Sequence, residues 1–424
     1  MDTALLTDKY ELTMLSSLVR DGLADTPSTF ELFARRLPKG RRFGLLVGLG
    51  RLLEHLPHFT FGPEELRWLQ DTGAITAEAA DWLTDFRFSG DMLAYPEGEV
   101  YWPGSPVLRV SGRLGECLLL ETLALSIYNH DTAVASAAAR MVIAAEGRPI
   151  IEMGSRRVHE EAAVAGARAA WIAGFTGTSN LAAGQRYGIP TLGTAAHAFT
   201  LAHASEADAF ASQVHAHGPG TTLLVDTYDI AEGIRTAVRV AGTDLGAIRI
   251  DSGDLAIESR KARALLDELG ATTTRIITTS DLDEYVMAAL ADAPIDGYGA
   301  GTRVATGSGH PTAGFVYKLV EIGGRPVAKK SADKISVGGA KTAHRAPDGT
   351  EHLSLTGAIP TGHRAVAEPI IIGGTLQDQP TLEDTRTRAA ASLDALDRVD
   401  RLISDGTPRI TATVDDQPTE GEGS

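Results

Sequence analysis

The chain has 424 residues, 43% of them apolar and 22% charged, the composition of a folded globular protein long enough for more than one structural unit. Its formal net charge of −16 disfavours general attraction to nucleic acid or to an anionic membrane surface, although a local Arg/Lys cluster can still hold a small anion. The single cysteine, Cys117, excludes an intrachain disulfide and any multi-cysteine zinc site, and within ECLLLETLALSI it reads as core packing rather than as a nucleophile.

Residues 1–20, MDTALLTDKYELTMLSSLVR, carry Asp8, Lys9 and Glu11 where a secretion signal needs an apolar run. No stretch is long enough to span a bilayer without charges or breakers, so the expected setting is the cytoplasm. An amphipathic helix is expected near 8–20, then a strand and turn in PSTFELFARRLP. Pro63 and the acids beside it open a helix in FGPEELRWLQ. MLAYPEGEVYWPGSPVLRVSGRL alternates apolar residues between turn formers, as a meandering sheet does, and 1–115 reads as a mixed section of helix and strand.

The texture changes at 116, where ECLLLETLALSIYNHDTAVASAAARMVIAAEG specifies one or two long, Ala-rich, buried helices. Short apolar runs follow at 148–154, 169–175, 188–194, 220–227, 245–252, 273–280 and 294–300, most of them separated by helical patterns such as VHEEAAVAGARAA and IESRKARALLDELG. This alternation specifies βα units on a parallel sheet, and six or seven units suggest a closed or nearly closed barrel over 116–309. From about 310 the pattern returns to strands and turns that complete the N-terminal sheet through about 360. Residues 361–424 are set apart as a C-terminal extension, with a disordered tail expected from about 415.

Polar residues follow the apolar runs: Arg156, His197, Asp226, Asp251, Ser280 and Asp281. In an α/β barrel those positions form the C-terminal rim, where catalytic groups gather. His197, in TLGTAAHAFT, is either a helix-start imidazole satisfying a carbonyl or a nucleophile delivered to a shared pocket. Arg156 and Arg157 either open a solvated helix or clamp a phosphate. In IRIDSGDL, strand alternation puts Arg249 and Asp251 on one side; Asp254 either caps the next helix or joins Asp251 in ordering water around Mg²⁺. His203, His215 and His217 fall in a helical pattern and read as surface or helix-end residues. There is no GxxxxGK[ST], so ATP has no Walker loop, and GYGAGTRV follows a late strand rather than opening a dinucleotide fold. Its Gly299, Gly301 and Thr302 suit backbone contacts to a phosphate.

TDKYELTM, EMGSRR, GFTGTSN, GTAAHAF, VDTYD, IRIDSGDL, TSDLDEY, GYGAGT and the KKSADK…GGAK…R segment occur in this order over roughly 7–345, and as a set they resemble the nicotinate phosphoribosyltransferases. The resemblance implies an irregular (β/α) barrel of the type II phosphoribosyltransferase kind plus an α/β sandwich-like domain. It implies that nicotinate is joined to 5-phosphoribosyl 1-diphosphate, giving nicotinate mononucleotide and diphosphate, with ATP hydrolysed through a transient phosphohistidine, in NAD salvage. His197 matches that histidine, with Ala198 where the family usually has Ser; a neutral imidazole suits attack on a γ-phosphoryl group.

By the same resemblance Arg156 and Arg249 are phosphate ligands, and Asp251 engages the ribose hydroxyls or acts through Mg²⁺, with Asp254 as the second metal carboxylate. Ser280 and Asp281 join the same rim, and Gly299, Gly301 and Thr302 meet the nucleotide 5′-phosphate. Thr178 and Ser179 belong to the pyridine pocket; Ser179 stands where relatives that use nicotinamide have Asp, which leans toward the acid substrate. Met153 stands where the family has an aromatic residue able to stack on the pyridine. Tyr10 resembles a ring-facing tyrosine supplied by the partner in a head-to-tail homodimer with shared sites. The expected partners are nicotinate, phosphoribosyl diphosphate, ATP and Mg²⁺, with no nucleic acid and no membrane. A nicotinamide phosphoribosyltransferase and a non-catalytic barrel that binds a ligand stand as the alternatives.

Overall fold

The computed structural model describes residues 4–329 and 337–415. Most of the KKSADK motif and the tail expected to be disordered lie outside the described residues. The chain divides into two compact units, one made of Met1–Ala133, Thr312–Asp400 and Asp405–Ser424, the other of Val134–Pro311 with Arg401–Ser404.

The first unit is built on a seven-stranded antiparallel sheet. The strand Pro27–Ala34 sits inside it, pairing with Phe315–Ile322 on one side and Leu108–Arg113 on the other. Its central position explains why PSTFELFA is buried on both faces rather than alternating. Residues after 360 also enter this sheet, because Glu368–Ile372 pairs with Asp91–Ala94. The helix Lys9–Arg20 forms as expected, burying Leu12 and Leu15 and leaving Tyr10 and Met14 exposed one turn apart. Cys117 lies in the core, where burial pushes its thiol up to about 12 and leaves it inert.

A smaller four-stranded sheet in this unit carries a histidine cluster. His344 faces His352 across the ladder, with the two rings stacked 5.6 Å apart. Nδ1 of His344 lies 2.8 Å from Nδ1 of His363, a contact that requires one nitrogen to donate and the other to accept. Both rings cannot hold it fully protonated. Burial lowers the pKa of His344 from its ordinary 6.5, His363 and His352 push the same way, and Asp415 and Glu351 oppose them. The native state therefore binds fewer protons than the unfolded chain near and below that pH, so the stability from this cluster is present above about 6.5 and is lost as pH falls through the lower folded value. The urea midpoint is expected to be flat above neutrality and to drop in mild acid, with part of the drop removed in His344→Asn.

The second unit holds six parallel strands in the order Gly177–Thr178, Ile150–Glu152, Gly297–Ala300, Arg275–Thr278, Ala247–Ile250, Thr222–Leu224. Of these six strands the first in sequence pairs with the last, so the sheet curls. Thr191 adds one parallel bridge beside Thr178, and among the described residues no pairing joins it to Thr222–Leu224. The sheet is curled and open at one seam, a half-barrel rather than a closed one. Its strands read as short apolar runs because helices cover them: Leu223, Ile248, Ile250 and Ile276 pack with Ile234, Ala237, Ala262 and Leu266.

Two expected strands are not there: 188–194 makes only the single bridge at Thr191, and 169–175 is helical. Residues 169–175 end the helix Glu160–Ala173, and the strand follows at Gly177–Thr178. Alanine at most positions of 162–173 favours the helix, and Gly174 stops it at φ +121, a conformation that Cβ-bearing residues avoid. An apolar run alone does not separate a buried strand from a buried helix. Among the described residues no helix is long and apolar enough to cross a membrane.

Candidate active site

Parallel strands deliver the residues that follow them to one end of the sheet. Four such segments of the second unit enclose a cleft of ≈ 260 Å³. Met153, Arg156 and Arg157 come from the loop after Ile150–Glu152, and Arg249 and Asp251 from the end of Ala247–Ile250. Thr279, Ser280 and Asp281 follow Arg275–Thr278, while Gly299, Gly301 and Thr302 come from the last strand and its loop. Three guanidiniums against two carboxylates make the cleft locally positive in an acidic chain, which suits a multiply charged anion.

Arg249 is half-buried, and its guanidinium donates through Nη1 to the Thr194 hydroxyl. Its Nε is buried and has no hydrogen-bond partner among the described residues. Burial lowers the Arg249 pKa, Asp251 and Asp226 oppose this, and Arg156 adds like-charge repulsion. A guanidinium in this setting stays charged and carries a donor waiting for an acceptor. Asp251 accepts the Thr279 hydroxyl through Oδ1.

The segment 279–281 is turned into the cleft by Ser280, a non-glycine residue at φ +139. Such a conformation costs on the order of 1–3 kcal/mol and persists where the surroundings hold it. Here the Leu282 N–H closes back on the Ser280 carbonyl at 2.8 Å. Gly299 is required for close packing, because a Cβ there would lie 2.6 Å from Thr279 Cγ2 and 2.9 Å from Met153 Sδ.

His197 is the first residue of the helix His197–Leu201, and its side chain is 41% exposed. Its Nδ1 lies 3.1 Å from the Thr227 hydroxyl and its Nε2 3.8 Å from Oδ1 of Asp226. Asp226 is buried; its Oδ2 accepts the Asp251 N–H at 2.8 Å and the Ser252 hydroxyl at 2.7 Å, whereas its Oδ1 has no hydrogen-bond partner among the described residues. His197 is thus linked to the cleft through Asp226 and the Asp251 backbone, and again through Thr194, three residues before it, which holds Arg249.

Four expected site residues lie elsewhere. Thr178 is fully buried, and its hydroxyl donates to Glu152, so the side chain is occupied within the protein rather than offered to a ligand. Ser179 is exposed on the loop before the helix Leu181–Tyr187 and does not line the cleft. Asp254 does not line it either; its Oδ1 accepts the Ala256 and Ile257 N–H groups at 3.1 Å, the helix-cap alternative. Tyr10 belongs to the first unit, where burial first and then Glu121, Glu11 and Asp8 push its pKa up to about 12. Among the described residues no group of three or more His, Cys, Asp or Glu side chains is arranged to hold a metal ion.

The structure adds Thr194, Thr227 and Thr279 to the site, and it places Asp226, already on the expected rim, beside His197. Asp226 and Thr227 stand directly after a strand in VDTYD, which was signal enough to place them on the rim; their pairing with His197 joins segments 30 residues apart. Thr194 and Thr279 are small hydroxyl residues whose partners no local pattern reveals.

The fold is shared with the crystal structure of human nicotinic acid phosphoribosyltransferase, at a TM-score of 0.80 and 24% identity over 97% of both chains. It is shared as well with nicotinate-nucleotide pyrophosphorylase from Pyrococcus furiosus, at 0.79 and 23% identity over 93% of this chain and 95% of that one. Residues 5–129 match the family model for the nicotinate phosphoribosyltransferase (NAPRTase) N-terminal domain. Nicotinate phosphoribosyltransferase pncB1 of Mycobacterium tuberculosis is 53% identical over 427 residues, covering 97% of this chain and 95% of that protein. With that identity over nearly its whole length, the chain belongs to the nicotinate phosphoribosyltransferase family.

Proposed function

We propose that this protein transfers the phosphoribosyl group of 5-phosphoribosyl 1-diphosphate to the ring nitrogen of nicotinate, releasing diphosphate, with ATP hydrolysis coupled through phosphorylation of His197. The observation that carries the reading is the cleft itself: Arg156 and Arg249 beside Asp251 and Asp281, with one guanidinium N–H of Arg249 unpartnered, in a chain of this family. As the bond from C1 to diphosphate breaks, negative charge grows on the leaving oxygens and positive charge on the ribose. Arg156 and Arg249 stabilise the first, and the carboxylates of Asp251 and Asp281 the second, with both reactants held at fixed orientation.

The residues fit Mg²⁺, which favours one or two carboxylates and completes its shell with water and substrate phosphates rather than a protein cage. Asp251 and Asp281 would hold it, and its contribution when bound is to neutralise the departing diphosphate; Asp254, committed to its helix, is the weaker candidate. At His197, Asp226 favours the tautomer with its proton on Nε2, leaving the Nδ1 lone pair beside Thr227 to attack the γ-phosphorus as ADP leaves. Ser179, neutral and exposed, offers no repulsion to a pyridine carboxylate.

We further propose that the working form is a head-to-tail homodimer in which Tyr10 of one copy faces the pyridine ring in the site of the other. Exposed Tyr10 and Met14 on one unit and Leu181, Leu201 and Tyr228 on the other support it, since large exposed apolar residues mark docking surfaces. One buried cysteine requires no oxidising compartment, which supports a cytoplasmic setting.

The test is nucleotide formation from phosphoribosyl diphosphate, Mg²⁺ and either nicotinate or nicotinamide, with and without ATP, on a preparation whose mass is read by light scattering. Product from nicotinate, stimulation by ATP that disappears in His197→Ala, and twice the 44.7 kDa chain mass are expected. Product from nicotinamide alone would assign the other pyridine, and none from either would leave a non-catalytic binder.

A further inference from the structure

The loop that carries Arg156 and the loop that carries Ser179 are tied together by one side chain, Glu152. It ends the strand Ile150–Glu152 and is 3% exposed. One carboxylate oxygen accepts the Gly154 N–H, and the other accepts the Thr178 hydroxyl at 2.5 Å. Its backbone carbonyl accepts the Ser179 N–H at 2.8 Å. Thr178 Oγ1 in turn accepts the Asn180 N–H at 3.0 Å, and Asn180 Nδ2 donates to the Ser155 hydroxyl at 3.0 Å.

The joint leaves no slack. A Cβ at Gly154 would stand 2.7 Å from the Glu152 carboxylate and 2.7 Å from Ala305 Cβ. A buried carboxylate is expensive unless its acceptor capacity is filled, and here one partner comes from each loop. Burial pushes the Glu152 pKa up, and its two hydrogen bonds pull the other way, with no cation contributing. An isolated packing role would not need an acid at this position.

We propose that Glu152 is a positioning residue that couples the two loops, setting the distance between the phosphate ligand Arg156 and Ser179, the exposed residue beside the cleft strand that the proposed reaction assigns to the pyridine. It touches no substrate, and its functional half rests on the proposed reaction. Moving one loop moves the other, so the grip on both substrates loosens together when the tie is cut.

Two readouts test this. In Glu152→Gln the KM values for nicotinate and for phosphoribosyl diphosphate are expected to rise together, by about 10-fold, with kcat changed less than about 3-fold. Thr178→Val, which removes the hydroxyl that Glu152 accepts, is expected to show the same pattern. Amide hydrogen exchange in the peptides covering 153–157 and 178–183 is expected to accelerate in both at once. Ser155→Ala, which cuts the second tie at a half-exposed residue, serves where Glu152→Gln folds poorly, and is expected to give a smaller rise in the same two KM values. A change in one KM only, or faster exchange in one loop only, overturns the coupling. If the native chain makes no nucleotide, the proposed reaction fails while the exchange experiment still decides the tie.

Discussion

Arg249→Met is expected to lower kcat/KM for phosphoribosyl diphosphate by about 10²–10³, the loss seen when one preorganised donor to a developing anion is removed. The size follows from its position. Burial has already stripped much of the water from this guanidinium, the carboxylates of Asp251 and Asp226 keep it charged, and its Nε is left without a protein acceptor. Methionine keeps most of the stem volume, so the change is electrostatic first. A second effect adds to it, since the Arg249 guanidinium holds Thr194, and loss of that bond frees the segment leading into His197. Arg249→Lys restores charge without the planar fork and should recover only part of the loss. Steady-state rates at saturating nicotinate decide the matter; a variant within a few-fold of wild type would remove Arg249 from the list of phosphate ligands.

The largest expected loss of stability belongs to Arg140→Ala, about 3–5 kcal/mol, the range for breaking a buried ion pair by deleting one partner. Arg140 and Glu284 are each 1% exposed and meet at 2.9 Å. The same guanidinium donates to the Ile403 carbonyl at 2.6 Å and to the Tyr285 hydroxyl at 3.2 Å, and the other oxygen of Glu284 accepts from Ser308 at 2.7 Å. Removing the guanidinium leaves a carboxylate in an apolar interior and a cavity beside it. Replacing both partners, as Arg140→Met with Glu284→Leu, should recover much of the loss, because the desolvation of two charges vanishes with them. Chemical unfolding of the two variants, followed by a probe in the second unit, separates these outcomes. Glu284 opens the helix that follows the 279–281 segment, so the single variant should lose activity at temperatures where it is still folded.

Much of the architecture was legible because its signals are local. The helix Lys9–Arg20, the proline-led helix Pro63–Asp71 and the strands at 247–250 and 275–278 each follow from side-chain period and end-capping residues within a dozen positions. The run at 169–175 failed for the opposite reason: an unbroken apolar stretch carries no period, and the alanines around it decided for helix. The rim was legible too, since a polar residue directly after an apolar strand has one topological address in a barrel. Arg156, Asp251, Ser280 and Asp281 were found that way and share the cleft with Arg249, which strand alternation in IRIDSGDL put on the same side as Asp251.

The sequence by itself determined the order of elements, the acidic surface with its few clustered arginines, and the chemical types available at the rim. The tertiary structure alone decided which of those groups are free to act. Thr178 and Asp254 look like ligands in their motifs, yet one is sealed against Glu152 and the other caps its own helix. Asp226, in the sequence one rim acid among several, is the buried carboxylate that faces His197. The difference is physical: a residue's type is written locally, whereas its burial and its hydrogen-bond partners depend on segments tens of residues away, brought beside it only when the sheet rolls up.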